Sequence, residues 1–253
     1  MTTISRRSFV AIASAVLAAP SLFREQSERK DAPPLVDQVP PMLDHILLGC
    51  QDLQQGIAFV EQHTGVRAAF GGVHPGRGTQ NALLSLGASS AQEKGRYLEI
   101  IGPDPRQSGG ASPLLDTLKK LSEPRLVGWA AHPKNIEALA AQLKRYGIAA
   151  DGPTPGSRKR PDGKELHWQT LHLRDDARGL LPFFIEWSAD SVHPSVDAPA
   201  GCQLLRLELL TPDPSALAKL TAQLALAAAI AKAETPQLHA VIQGPQGTLS
   251  VAS

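Results

Sequence analysis

One order of secondary-structure elements recurs three times along the chain, and this repeat restricts the possible folds more than any other feature. Each copy opens with a short apolar segment typical of a strand, continues into a helix and closes with further strand-like segments. Gly65 follows the first helix, where a glycine commonly ends one. In the first copy the predicted strands lie at 43–48, 68–73, 81–86 and 97–101, and the helix at 53–63.

The second and third copies follow the same order with different residues. Gly147 ends the second helix as Gly65 ends the first, and Asp213-Pro214 is a typical helix start in the third copy. The second copy has predicted strands at 126–131, near 149, at 166–173 and at 181–187, around a helix with Ile136, Leu139, Ala140 and Leu143 on its apolar face. The third has predicted strands at 204–210, 228–231, 238–243 and 247–252, and a helix at 215–226.

The repeat predicts an α+β fold made of tandem βαβββ modules. One such module cannot cover both faces of its own sheet, so neighbouring modules must pack together. We expect module one (42–107) and module two (126–200) to form a cupped mixed sheet around a cavity, followed by a C-terminal module three (201–253). A helical insertion at 108–125, whose helix starts at Ser112-Pro113, separates the first two modules.

The N-terminus has the layout of an export signal. Arg6 and Arg7 precede an apolar stretch at 9–19 that contains no acidic side chain. The arginine pair, with an apolar residue two positions on, resembles the bacterial twin-arginine motif, which the twin-arginine export machinery reads. We therefore expect a signal peptide at 1–19, a charged and Pro-rich linker at 20–41, and a location in the bacterial periplasm. A frayed N-terminal helix with two solvated arginines is the alternative.

Composition excludes several classes of partner and cofactor. Lys and Arg total 25 against 24 Asp and Glu, a formal net charge of +1, which argues against nucleic acid. The longest apolar run is shorter than the roughly 18 residues of a spanning helix, so we expect no stable membrane insertion. Cys50 and Cys202 are too few for a disulfide framework or a cysteine-based zinc cluster, and whether they pair stays open, as does the oligomeric state.

Two strands and one Gly-rich segment carry a family resemblance. The opening strand Leu43-Asp44-His45-Ile46-Leu47 and the closing strand Tyr97-Leu98-Glu99-Ile100-Ile101, in paired modules, resemble the vicinal oxygen chelate superfamily of glyoxalases, extradiol dioxygenases and antibiotic-resistance proteins. The segment His74-Pro75-Gly76-Arg77-Gly78-Thr79-Gln80-Asn81 is similar to its glyoxalase-like branch. The resemblance covers nearly all of residues 42–252 and implies metal ligands on the first and fourth strands of the paired modules.

Carried over position by position, the resemblance implies a site made of His45, Glu99 and Glu186. His45 matches the first-strand ligand and Glu99 the fourth-strand ligand of module one. Glu186 takes the same place in module two, because Asn81 to Glu99 and Trp168 to Glu186 are both 18 positions. One imidazole and two carboxylates suit a divalent ion such as Zn²⁺, Mn²⁺, Fe²⁺ or Ni²⁺.

Module two departs from the family pattern at its first strand. The second first-strand ligand would fall at Val127 or Gly128, and neither residue can bind a metal. His74, His167 and His172 could each supply a substitute. A carboxylate inside an apolar strand is costly to bury unpaired, so Glu99 and Glu186 are either ligands, proton carriers, members of ion pairs, or solvent-facing. We expect them to converge with His45 on one point in the cup, as catalytic groups and metal ligands.

Other polar residues are candidates for substrate binding. His74, Arg77 and Asn81 lie in the Gly-rich segment, which either shapes a tight turn or presents donors to an anionic group. Strand alternation places either His167 or Trp168 on the cavity face, never both. The run at 158–163 is predicted to be a solvated hairpin turn, with an anion contact as the alternative.

Two functions from different classes fit this pattern. The first is a metal-assisted lyase or isomerase of glyoxalase type, in which the metal polarises vicinal oxygens of a small molecule and a glutamate moves a proton between carbons. The second is a metal-free protein that binds or sequesters a small molecule. Module three is expected to be structural, because Ser250 and Arg206 stand where the other modules carry ligand-type residues, although Arg206 could serve as an anion clamp.

If the twin-arginine reading is right, changing both Arg6 and Arg7 to lysine leaves an uncleaved precursor in the cytoplasm, because the machinery discriminates the arginine pair from other basic residues. Cell fractionation followed by immunoblotting measures the distribution. A double variant that reaches the periplasm at the wild-type level would contradict the reading.

Overall fold

The structure, a computed structural model, describes Met1 and residues 39–87, 95–107 and 112–253. The predicted signal peptide and nearly all of the linker therefore lie outside the described residues, as do the first four residues of the insertion. Among the helices that the structure describes, none is long and apolar enough to cross a membrane.

The described elements follow the predicted order, with boundaries within a few residues of those expected, except that the strand Ala150–Lys159 continues into the run predicted to be a turn. Module one contains β1 (Leu43–Gly49), α1 (Leu53–Thr64), β2 (Ala69–His74), β3 (Thr79–Ser85) and β4 (Tyr97–Pro103). The insertion contributes α2 (Pro113–Leu118). Module two contains β5 (Arg125–Ala131), α3 (Ile136–Arg145), β6 (Ala150–Lys159), β7 (Glu165–Leu173) and β8 (Phe183–Trp187). Module three contains β9 (Gln203–Thr211), α4 (Pro214–Gln223), β10 (Ala229–Lys232), β11 (Gln237–Gly244) and β12 (Gly247–Ala252).

Side-chain caps fix where the helices begin. Each first turn leaves backbone N–H groups without a helical partner, and a short polar side chain just before the helix accepts from one of them. Asp52 accepts from Gln55 at 2.9 Å at the start of α1, and Asn135 accepts from Ala138 at 2.6 Å at the start of α3. Ser112 caps α2 in the same way, as expected for the insertion.

Modules one and two join into a single mixed sheet of eight strands. The strand order is β2-β3-β4-β1-β5-β8-β7-β6, so β1 and β5 meet antiparallel at the centre and each half has the same internal order. In each half the first strand pairs in parallel with the fourth. This pseudo-symmetric arrangement confirms the predicted fold class of paired βαβββ modules.

The sheet curls until its two end strands come into contact. β2 and β6 stand at opposite ends of the strand order, yet they touch. Arg158 of β6 reaches across to donate a hydrogen bond to the carbonyl oxygen of Gly71 in β2. Gly72 makes room for this contact, because a Cβ there would lie 2.8 Å from the carbonyl oxygen of Lys159 and 3.1 Å from an Arg158 nitrogen. The curl encloses a cavity on its inner face.

Module three shares the βαβββ element order but not the strand order of the other modules. Its sheet runs β10-β9-β11-β12, so the second strand pairs in parallel beside the first instead of at the far edge. It contacts α1 and the central strand β5. Gln142 of α3 also donates to the carbonyl oxygen of Gln223 at 3.5 Å. Module three therefore packs on the outer side of the large sheet, opposite the cavity.

Gly65 links α1 to module three and offers a test of that packing. Its φ is +79°, and a Cβ there would lie 2.4 Å from Gln246 of module three, whereas Gly147 after α3 has a φ of +70° and open space around it. Gly147→Ala should therefore cost only the left-handed strain of about 1–2 kcal/mol, and Gly65→Ala about 1–3 kcal/mol more from overpacking. Urea unfolding measures both, and equal losses would contradict a tight junction.

Candidate functional site

A cavity of about 870 Å³ lies inside the curl of the large sheet. Both modules and the insertion contribute to its wall, and α2 with the following turn closes one side through Pro113, Leu114, Thr117 and Leu121. Aromatic side chains from module two form much of the remaining wall, with the Trp168 and Trp187 ring centroids 5.3 Å apart. The size and composition suit a small organic molecule.

His45 projects from β1 into this cavity and is almost fully buried. Its Nδ1 lies 2.7 Å from Oδ1 of Asp44, and its Nε2 lies 3.4 Å from Oε2 of Glu99. Adjacent residues of a strand normally face opposite sides, but the pairing of β1 with β5 shifts register between Leu43 and His45. This irregularity accompanies the contact between the neighbouring side chains of Asp44 and His45.

The two carboxylates hold a proton on His45. Burial alone would lower the pKa of His45, but the hydrogen bonds to Asp44 and Glu99 outweigh it and raise the pKa from 6.5 to about 9. The Tyr97 ring stacks on the imidazole at 4.5 Å between centroids and fixes its plane. His45 is therefore a cation at neutral pH, with one N–H aimed at Glu99.

Asp44 is the buried anchor of the imidazole. Besides His45, its carboxylate accepts from Trp187 Nε1 at 3.1 Å and from His193 Nε2 at 3.1 Å, both through Oδ2. Burial would raise the pKa of Asp44, but these hydrogen bonds and the charge on His45 bring it well below its ordinary value. The anchor thus joins module one to the segment that follows β8.

Glu99 of β4 is the acidic group that faces the cavity beside His45. Asn81 of β3 donates to its Oε1 at 2.7 Å, and His74 Nε2 lies 3.6 Å from the same oxygen. Burial would raise the pKa of Glu99, but the hydrogen bond and charge of His45 lower it from 4.5 to about 2. A proton donor and a proton acceptor therefore stand side by side at the cavity wall.

Glu186 does not join His45 and Glu99, so the predicted convergence of the three residues is wrong. Phe183, Ile185 and Trp187 of β8 line the cavity, and alternation turns Glu186 to the opposite face. There its carboxylate accepts from the backbone N–H of Ile136 at 2.5 Å, at the start of α3. A carboxylate at a helix N-terminus is stabilised by the helix dipole, which accounts for its place in an apolar strand.

A shorter connection in module two explains the error. Asn81 pairs with Ile101, twenty positions on, whereas Thr170 pairs with Ile185, only fifteen positions on. Counting eighteen residues in both modules therefore lands on different strand positions. Helices α1 and α3 begin 83 residues apart, and with that offset the Leu47–Glu99 pair corresponds to the Ala130–Phe183 pair. The counterpart of Glu99 is Phe183.

The described side chains do not fit the metal centre that the resemblance implies. The same offset makes Gly128 the counterpart of His45, so module two supplies no ligand at either family position. In module one the amide nitrogen of Asn81 lies 2.7 Å from Glu99 Oε1 and 3.4 Å from His74 Nε2, so a hydrogen-bond donor already engages the groups that a cation would have to join. Among the described residues, no three His, Cys, Asp or Glu side chains form a group that could hold a metal ion.

Four of the five predicted substrate-binding residues line the cavity. They are His74, Arg77, Asn81 and Trp168. His167 does not, because alternation along β7 turns it outward, where it is exposed and lies 3.9 Å from Glu165. The structure thus resolves the choice between the two neighbours in favour of Trp168.

Sequence reasoning missed three residues of the site, and for a fourth it preferred the solvated turn over the anion contact. Asp44 and Tyr97 flank the predicted ligands in the same strands, but their contacts depend on a bulge and on stacking between strands. His193 lies in a loop without a motif. Arg158 belongs to the run expected to be a solvated turn, yet it is only 3% exposed and lines the cavity.

Comparison with known proteins agrees with this architecture. A sequence profile described as "Glyoxalase-like domain" matches residues 43–225. Among solved structures, a hypothetical protein from Staphylococcus aureus is 14% identical with a TM-score of 0.54, over 83% of this chain and 84% of that one, which shows a shared fold. A methylmalonyl-CoA epimerase from Streptomyces coelicolor is 22% identical with a TM-score of 0.46, over 61% of this chain and 99% of that one. No curated protein matches the chain.

Asp44→Asn should destabilise the protein strongly. The change leaves the charged His45 without its closest partner, and breaking a buried ion pair typically costs about 3–5 kcal/mol. Asp151→Asn is the matched control, because Asp151 pairs with Arg174 at 2.8 Å but both side chains are more than 60% exposed. Urea unfolding at neutral pH compares the two variants. A similar small loss in both would contradict the anchoring role of Asp44.

Proposed function

The chain belongs to the glyoxalase-like domain family of the vicinal oxygen chelate superfamily, and from that premise we propose that it is a lyase or isomerase that moves a proton on a small molecule with vicinal oxygens. The observation that carries the proposal is the contact between His45 and Glu99 at the wall of a cavity of about 870 Å³. A paired acid and base with pKa values pushed apart is typical of proton-transfer sites.

The two groups have complementary tasks. A substrate carbonyl oxygen near His45 Nε2 accepts the imidazolium proton, while the Glu99 carboxylate takes a proton from the adjacent carbon. The substrate C–H bond and the His45 N–H bond break, and O–H bonds form on Glu99 and on the substrate oxygen. The electron pair of the C–H bond becomes the C=C bond of the enol or enediol, and the π pair of the carbonyl takes the proton from His45. Return of the proton to the other carbon, or to the other face, completes an isomerisation.

Glu99 gains basicity as the step proceeds. The positive charge of His45 is a main cause of the low pKa of Glu99, together with the hydrogen bond between them. Once His45 passes its proton to the substrate oxygen, that cause disappears and the carboxylate becomes a stronger base. Transfer of the His45 proton to the substrate oxygen therefore favours transfer of the carbon-bound proton to Glu99, and the two transfers can occur in one concerted step.

In this proposal the protonated His45 supplies the positive charge that a Lewis-acid ion supplies elsewhere. The described side chains form no metal-ligand set, so no step is assigned to a metal. Asp44 keeps the imidazole oriented, as carboxylates beside catalytic histidines do. Asn81 fixes the Glu99 carboxylate through its hydrogen bond at 2.7 Å.

Binding without turnover is a second candidate function. The pair of tryptophans at 5.3 Å and the stacking of His172 on Phe183 at 5.2 Å favour it, because they form a flat-sided apolar wall that suits simple capture of a ring. The two functions differ in whether a bound molecule exchanges a carbon-bound proton with solvent.

Glu99→Gln should abolish proton exchange. The wild-type protein is incubated in D₂O with a panel of 2-oxo acids and 1,2-dicarbonyl compounds. We expect it to catalyse exchange of the hydrogens next to the carbonyl for deuterium in at least one compound, and NMR measures the rate. Because general-base catalysis contributes about 100-fold to 10,000-fold, the variant should be slower by about 100-fold or more.

Glu186→Gln is the matched control, since its carboxylate binds the start of α3 and faces away from the cavity. It should leave exchange within about twofold of wild type, the range of indirect effects. Equal losses in both variants, or exchange that persists in Glu99→Gln, would contradict the assignment. Wild-type binding without any exchange across the panel would support capture instead.

The reactive form needs a protonated His45 and an ionised Glu99, which sets the pH dependence. Although burial opposes it, hydrogen bonding raises the pKa of His45 to about 9, so activity should persist through neutral pH and fall as pH rises through about 9.

The free energy of unfolding should also decrease as pH rises from 6.5 toward 9, because the folded state holds the proton of His45 more tightly than the unfolded state does. In Asp44→Asn the alkaline fall in kcat/KM should move to lower pH, and an unmoved profile would contradict the role of Asp44.

A further inference from the structure

Arg158 is a buried cation whose charge the proposed proton transfer does not use. Its side chain lies on the cavity wall, and the residue is only 3% exposed. Its one hydrogen bond within the described chain runs from Nη1 to the carbonyl oxygen of Gly71. A guanidinium carries five N–H donors, so most of its hydrogen-bonding capacity is left for another partner.

No described carboxylate forms an ion pair with Arg158, in contrast to two other arginines of module two. Arg160, two positions along, pairs with Asp197 and also lies 3.4 Å from Asp162. Arg174 pairs with Asp151 at 2.8 Å. A buried charge without a counter-ion is unfavourable, and proteins retain such groups where a ligand supplies the opposite charge.

The cavity around Arg158 is electropositive. Three arginines, Arg77, Arg125 and Arg158, line it against two carboxylates, Glu99 and Asp176, and the charged His45 adds to the excess. Glu99 and Arg158 both line the cavity, and among the described carboxylates Glu99 acts most strongly on the charge of Arg158. An anionic molecule held by Arg158 would thus present its neighbouring atoms to Glu99.

Resting on the proposed function, we infer that Arg158 binds the carboxylate of the substrate, and that the substrate class is small 2-oxo acids. The planar guanidinium matches a carboxylate through two parallel hydrogen bonds. A 2-oxo acid carries its carbonyl beside the carboxylate, which supplies the vicinal oxygens and places the acidic C–H one bond further on, toward Glu99.

The test compares an acid with its neutral analogue. Phenylglyoxylate, a 2-oxo acid that has no exchangeable C–H, and phenylglyoxylamide are titrated by calorimetry into the wild-type protein. We expect the acid to bind at least about tenfold more tightly than the amide, the gain of one charge-assisted pair. Arg158→Gln should remove this preference and leave affinity for the amide unchanged.

Two further variants keep the test decisive. Arg158→Lys retains the charge without the planar fork and should keep only part of the preference for the acid. Arg174→Gln, which removes an exposed arginine outside the cavity, should change neither affinity. If Arg158→Gln fails to fold, the lysine variant and the preference of the wild type decide the matter.

Three results would overturn the inference. The first is that the wild-type protein binds the acid no more tightly than the amide. The second is that a folded Arg158 variant loses affinity for the acid and the amide equally. The third is that inorganic phosphate displaces the acid at a lower concentration than a second 2-oxo acid does. Glu99→Gln separates this inference from the proposed function. If Glu99→Gln loses proton exchange but still binds the acid, the result supports the proposed function and the Arg158 inference. If Glu99→Gln still exchanges protons while the preference for the acid depends on Arg158, the proposed function is wrong and the carboxylate site at Arg158 is supported.

Discussion

The burial of a charged histidine between two carboxylates is the constraint on which the rest of the site depends. Three ionised groups in an apolar interior are tolerated only when each has close partners of opposite charge or a hydrogen-bond donor. Asp44 meets this need for His45, Asn81 meets it for Glu99, and Trp187 and His193 complete the shell of Asp44. The bulge in β1, the stacking of Tyr97 and the closeness of the two modules all serve this arrangement.

Most of the fold could be predicted from the sequence because its signals are local. Apolar periodicity, helix caps such as Asp52 and Asn135, and the glycines after α1 and α3 lie within a few residues of the elements that they define. The strand order of module three could not be predicted in this way. An order of elements does not determine which strands pair, and β10 pairs beside β9 where the superfamily pattern would place it at the far edge.

The site was predictable only where function and local pattern coincide. His45 and Glu99 lie on the neighbouring strands β1 and β4, and the family resemblance pointed to both. The prediction for Glu186 was wrong because the face that a strand residue occupies depends on the register of the strand. The connection between β7 and β8 is five positions shorter than that between β3 and β4, so counting the same number of residues in both modules does not reach equivalent positions. For the run with Arg158 the solvated turn was preferred and the anion contact was only the alternative, because the sequence does not show that the distant strand β2 lies against it.

The two halves of the large sheet have taken different tasks. Module one holds the proton donor and acceptor, whereas module two supplies the aromatic wall and the free guanidinium, and Trp187 is the side chain of β8 that bonds the anchor Asp44. Under the proposed function, the reactive pair stands on module one, whereas Trp168 and Arg158 stand on module two. Substitutions in β6 and β7 would then alter which molecule is accepted without moving His45 or Glu99. Duplication followed by loss of symmetry thus gives this architecture a way to evolve new substrate ranges while one inherited chemistry persists.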